Sequence, residues 1–171
     1  MEILEDYAQF VTVTALDWKP ILKAKYHKEI IIDSLRFLVE NNRIYLYAFV
    51  IMDNHFHLIW QIRSNHSAET VQRDFLKYTA QQIKFSLAQN EPGLLKEMET
   101  NSTDRRYQFW KRNSLSVPLY SPSVFQQKLD YIHQNPVKAG LCATPWGYYF
   151  SSASFYFLNR SEFDFLSHHE G

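Results

Sequence analysis

Two histidines separated by one aromatic residue, His55-Phe56-His57, stand in an apolar run that continues through Leu58-Ile59-Trp60. Side chains alternate across a β-strand, so His55 and His57 would project from one face roughly 7 Å apart and could converge on one ion. Phe56, Leu58 and Trp60 would then point toward a covering helix, while Ile59 and Gln61 continue the histidine face. Strand histidines also serve as ordinary core or edge residues. The pair by itself therefore leaves metal binding and packing both open.

A second group with chemical capacity lies in residues 122–135. At about 100° per residue, Phe125, Leu129 and Ile132 form an apolar stripe, and Tyr131, Asn135 and Lys128 fall within roughly 60° of one another on one flank. Tyr131 and Asn135 are i and i+4, hence surface neighbours. His133 falls roughly 160° from Tyr131, on another side of the helix. A tyrosine at the margin of a core would occupy the same place, and Lys128 on that flank suits either a phosphate contact or plain solvation.

The elements that must carry these residues are legible from periodicity. Residues 10–15 alternate and are β-branched, predicting a first strand, and residues 28–40 carry Ile31, Leu35, Leu38 and Val39 at helical spacing. Residues 44–50 are nearly all apolar, as in a strand buried on both faces, and Met52-Asp53-Asn54 turns the chain into an antiparallel arm that starts at His55. Ser67 is the expected N-cap of a helix reaching about Gln89, with Glu91-Pro92-Gly93 as its end and a loop over 94–103. Further strand material is expected at Phe109-Trp110 and 115–120, shortened by Pro118, and Ser121-Pro122 starts a last helix that Pro136 should end near Asn135. Residues from about 160 to 171 read as a mobile tail.

Composition narrows the functions. With 171 residues the chain has the size of one domain, 1–171, and its 13 Phe, 11 Tyr and 4 Trp against 4 Gly describe a side-chain-rich core. The lone Cys142 excludes an internal disulfide and a cysteine-based zinc site, and points to a reducing, cytoplasmic setting. The acidic start, Met1-Glu2-Ile3-Leu4-Glu5-Asp6, is unlike a signal peptide, and the apolar run 44–52 is too short to span a bilayer, so no membrane role is expected. Net charge is +0, so any affinity for nucleic acid must be local. Arg105-Arg106 and Lys111-Arg112 bracket Tyr107, Phe109 and Trp110, a pattern that can hold phosphates while stacking bases and that an ordinary solvated loop over core aromatics also produces.

Three segments taken together resemble one family: residues 47–58 with Asn54-His55-Phe56-His57; Tyr131-Ile132-His133-Gln134-Asn135-Pro136 with Val137-Lys138-Ala139-Gly140-Leu141; and Trp146 with Ser151-Ser152. They look like the His-hydrophobic-His single-tyrosine transposases, and within those the REP-associated tyrosine transposases of bacteria. The resemblance covers roughly residues 10–156. It departs at Asp53, where the family commonly has proline; aspartate also suits a turn, so no functional consequence is expected.

The resemblance implies an α+β, ferredoxin-like domain with a central antiparallel sheet, histidines on a middle strand and a tyrosine-bearing helix across it. It implies that His55 and His57 ligate a divalent metal, Mg²⁺ or Mn²⁺, that Asn135 adds an oxygen ligand, and that Tyr131 is the nucleophile. The implied partner is single-stranded DNA with a hairpin, cleaved beside the hairpin foot and rejoined through a 5′-phosphotyrosine. Lys128, Arg105, Arg106, Lys111 and Arg112 are the candidate DNA contacts. Two other readings stand beside the active transposase: a silent hairpin-binding module of the same fold, and a phosphoesterase that uses the histidines with water. A homodimer is left open.

Overall fold

The computed structural model describes residues 7–63, 65–160 and 162–169. Strand β1 (Gln9–Thr14) leads through helix α1 (Lys25–Glu40) to β2 (Ile44–Ile51) and β3 (His55–Ile62); α2 (Ala68–Asn90) and the short α3 (Pro92–Glu97) lead to β4 (Leu115–Pro118). The sheet order is β2-β3-β1-β4 with every neighbouring pair antiparallel. This split βαβ order is the ferredoxin-like α+β arrangement the resemblance implied. It makes β3 an interior strand. Helix α4 (Pro122–Lys138) follows β4, and α5 (Ala153–Phe157) lies beyond it.

Both faces of the sheet are covered, which is why β2 is buried almost throughout. On one face Val11, Val13, Phe56, Leu58 and Trp60 pack against Ile31, Leu35 and Leu38 of α1 and Val71, Phe75, Ile83 and Leu87 of α2. On the other, Phe10, Ala48, Val50 and Ile59 meet Phe125, Leu129 and Ile132, the expected stripe of α4. A bulge between Leu46 and Ala48 shifts the register, so β2 can present Leu46 and Phe49 to the first core and Ala48 and Val50 to the second. Ser67 and Ser121 cap α2 and α4 through their hydroxyls, accepting from Thr70 N and Val124 N.

Three expectations are corrected. Pro136 does not end α4; the helix runs to Lys138. Proline lacks one N–H donor, and it falls here in the final turn, where Leu141 N bonds Pro136 O, Gly140 N bonds Val137 O and Gly140 takes a φ of 76°. These are the bonds of a Schellman close, and they set the end of the helix instead. Pro92 starts α3, which runs into the expected 94–103 loop as far as Glu97 with Leu95 buried, because a proline that terminates one helix can occupy the first position of the next. The expected mobile tail is packed over residues 162–169, whereas 161 and 170–171 lie outside the described residues. Phe163, Phe165 and Leu166 are buried, Ser167 N donates to Leu46 O at 2.9 Å, and His169 stacks on Phe125 at 4.2 Å. Polar neighbours in sequence mask these apolar side chains.

Two buried polar links hold the histidine face in place. Lys28 is 5% exposed, and its Nζ donates to Leu22 O at 2.7 Å and to Asp53 Oδ1 at 2.8 Å, joining α1 to the turn before His55. Aspartate at this turn therefore acts beyond its turn propensity. Asp53→Ala is expected to lower unfolding free energy by about 1–3 kcal/mol, because it strips a buried ammonium of the one carboxylate that pairs with it among the described residues. Urea titration would show this, and Lys28→Met in the same background should recover most of the loss.

The second link is His133, whose Nε2 lies 2.8 Å from Ser152 Oγ, which also accepts from Phe49 N at 3.0 Å. It ties α4 to β2 and explains why the segments around Tyr131 and Ser151-Ser152 belong together. Burial lowers the His133 pKa to about 4. The native state stays neutral there while the unfolded chain gains a proton below about 6.5, so stability falls as pH drops from about 6.5 to about 4, by roughly 3 kcal/mol. Thermal unfolding across that range should show the decline, with a shallower slope in His133→Gln.

Candidate active site

The histidine pair sits at the middle of the sheet, with His55 opposite Thr14, and His57 between Thr12 of β1 and Val50 of β2. The two rings lean together, their centroids 5.0 Å apart at 75°. His55 Nδ1 lies 2.7 Å from Asn54 Oδ1, which can only accept, so Nδ1 carries the hydrogen and Nε2 keeps its lone pair. His57 Nδ1 lies 2.8 Å from Thr12 Oγ1. Its Nε2 is buried and has no hydrogen-bond partner among the described residues. Burial lowers both pKa values, that of His57 to about 3 with smaller contributions from His55 and Lys128. At neutral pH both imidazoles are thus uncharged, and each keeps one ring nitrogen with a free lone pair.

Helix α4 brings Tyr131 to this pair. Its ring lies 5.2 Å from that of His57 at 78° and 5.9 Å from that of Phe10 at 83°, and the side chain is 46% exposed. Lys128, one turn earlier, places Nζ 4.9 Å from the Phe10 centroid and 5.9 Å from that of Tyr131. Asn135, one turn later on the same flank, is half-buried, and no hydrogen bond engages its side-chain amide among the described residues. The expected His57, Tyr131 and Lys128 are brought together. One chain supplies both His57 and Tyr131 to this contact.

The basic segment divides. Phe109 and Trp110 are buried in the α1/α2 core, and Tyr107 packs against that core, so these aromatics are packing residues. Arg105 pairs with Asp104 at 3.5 Å and Arg106 with Glu99 at 3.3 Å, away from the histidine face. Lys111 and Arg112 differ. Lys111 N donates to Thr14 O, the register partner of His55, at 2.8 Å, and both side chains are exposed and outside any ion pair among the described residues. Their backbone thus follows the end of β1, across Thr14 from His55.

Sequence reading missed Thr12 and Asn54 as orienting partners. Asn54 was legible only as a turn residue, and Thr12 reaches His57 solely through the β1–β3 register.

The donor set fits a divalent ion: an unpartnered buried ring nitrogen, a second neutral imidazole beside it, and a free amide oxygen on the facing helix. No group of three or more His, Cys, Asp or Glu that could hold a metal occurs among the described residues, so a third protein ligand beside the two histidines would be an amide, hydroxyl or backbone oxygen.

Fold and site together define a ferredoxin-like α+β domain with a histidine pair on an interior strand beneath a helix-borne tyrosine. No family model matches the chain, and no curated protein matches it. Among solved structures, it is similar to a REP-associated tyrosine transposase bound to a REP hairpin, at 15% identity with a TM-score of 0.61, over 85% of this chain and 76% of that one. A candidate transposase from Deinococcus radiodurans aligns at 15% identity and a TM-score of 0.48, over 74% of this chain and 89% of that one. The first likeness shows a shared fold.

Proposed function

We propose that this protein is a metal-dependent single-stranded DNA strand transferase that cleaves beside a hairpin through a tyrosyl intermediate. The observation that carries the reading is the Tyr131 ring, half exposed, 5.2 Å from a histidine whose buried Nε2 has no hydrogen-bond partner among the described residues. His55 Nε2, His57 Nε2 and the Asn135 amide oxygen would hold the ion, Mg²⁺ or Mn²⁺, which when bound supplies Lewis-acid polarisation of a phosphodiester, worth several kcal/mol.

The protein's own residues do the rest. Asn54 and Thr12 hold the imidazoles with Nε2 free, as orienting partners do in metal sites. Tyr131 Oη forms a bond to phosphorus as the bond from phosphorus to the 3′ oxygen breaks; the phenolic proton passes to solvent and the departing 3′ oxygen takes one up. The products are a 5′-phosphotyrosine and a free 3′-OH. One phosphate ester replaces another, so a second 3′-OH can reverse the step and join new strands with no nucleotide triphosphate. Lys128 beside Tyr131, and Lys111 with Arg112 at the sheet end, supply charge for the phosphates.

A hairpin partner is supported by the similar solved transposase, which is bound to a REP hairpin. No helix among the described residues is long and apolar enough to cross a membrane. The test is incubation with a pool of structured single-stranded oligonucleotides and Mn²⁺, followed by sequencing of DNA bound covalently to protein. A metal-dependent adduct on a hairpin subset is the expected result. Salt-sensitive binding with no product would leave the silent module as the better reading.

A further inference from the structure

Trp18 is 58% exposed, and its indole stands 5.8 Å from the His55 ring at 71°. Its backbone, with that of Asp17, is left-handed at φ 56° and 55°, a region costly for residues other than glycine. The strained pair is held from both sides. Ala15 N bonds Asn54 O at 2.9 Å, Leu16 N bonds Phe109 O at 2.8 Å, Trp18 N bonds Ala15 O at 3.0 Å, and beyond it Ile21 and Leu22 are fully buried. Strain that presents a large apolar ring to solvent gives folding no evident benefit. Trp60 and Trp110, by contrast, are buried.

The indole also has suitable surroundings. Lys111 main chain pairs with Thr14 beside His55, and the exposed Lys111 and Arg112 side chains follow. A flat aromatic ring in the open beside a candidate phosphate-activating pair, with exposed basic residues on the segment that leaves the same end of β1, has the parts of a single-strand platform, on which bases stack in a sequence-tolerant way. We propose that Trp18 stacks on the base of a nucleotide flanking the scissile phosphate and so positions the strand across His55 and His57. This inference rests on the strand-transferase reading. Trp18 is a positioning residue here and takes no part in bond making.

The test uses the hairpin oligonucleotide recovered by covalent capture, fluorescein-labelled, with binding measured in EDTA by anisotropy. Trp18→Ala should weaken binding roughly 5- to 150-fold, the range expected for loss of one stacked base, and Trp18→Tyr should restore most of it. An abasic nucleotide at one flanking position should cost the wild-type protein a similar factor and add almost nothing to Trp18→Ala. If abasic penalties are equal in both proteins, or Trp18→Ala binds like wild type, stacking is overturned while strand transfer stands. If the Tyr variant fails to restore binding in a protein that still melts like wild type, an indole-specific structural role replaces stacking. Failure of the wild type to form any adduct overturns both readings.

Discussion

Tyr131→Phe is expected to abolish the covalent protein–DNA product, a loss on the order of 10⁴-fold or more for a deleted nucleophile, while leaving fold and hairpin binding in place. The substitution removes one oxygen that has no hydrogen-bond partner among the described residues and keeps the ring that meets Phe10 and His57. Stability should therefore change by no more than ~0.5 kcal/mol. A denaturing gel of Mn²⁺ reactions with the captured hairpin separates the alternatives. Adduct that persists in the variant would falsify the role of Tyr131. Free cleavage products without adduct, undiminished in the variant, would make water the nucleophile and turn the protein into a hydrolytic phosphoesterase.

His57→Ala is expected to lower cleavage by about 10³-fold or more, the rate equivalent of several kcal/mol of lost Lewis-acid assistance. His57 is 4% exposed, stacks on Phe10 at 5.3 Å and holds Thr12, so its removal also costs packing. A second readout separates the two effects. Wild-type protein should be stabilised by Mn²⁺, by about 2.7 kcal/mol at a hundredfold excess over Kd, and the variant should not. An equal rise in Tm for both proteins on adding Mn²⁺ would remove His57 from the metal site.

The two predictions rest on residues of differing legibility. The His55–His57 face followed from strand alternation, and the Tyr131–Lys128 flank from helical periodicity; both are rules about neighbours a few residues apart. The Pro136 stop and the tail failed for related reasons. A proline in the final turn sacrifices one bond, and the Gly140 close overrides it. The tail is anchored by Phe163, Phe165 and a bond to Leu46, contacts that no local pattern encodes. Among the basic residues, composition could not separate Arg105 and Arg106, paired with acids, from Lys111 and Arg112 at the sheet end.

The sequence alone thus determined the four strands of the sheet and the main helices, but not Phe109-Trp110, where only an isolated bridge from Trp110 to Ala15 forms; it also determined the shared face of the histidines and the shared flank of Tyr131, because each depends on a period of two or 3.6 residues read along the chain. The tertiary structure decided that these two surfaces face each other, that Thr12 and Asn54 turn the imidazoles so that Nε2 is free, and that Trp18 stands beside His55 in the open. Thr12 and His57 are 45 residues apart, and their bond exists only in the β1–β3 register. That register is set by burial on both sheet faces at once, a condition on the whole chain.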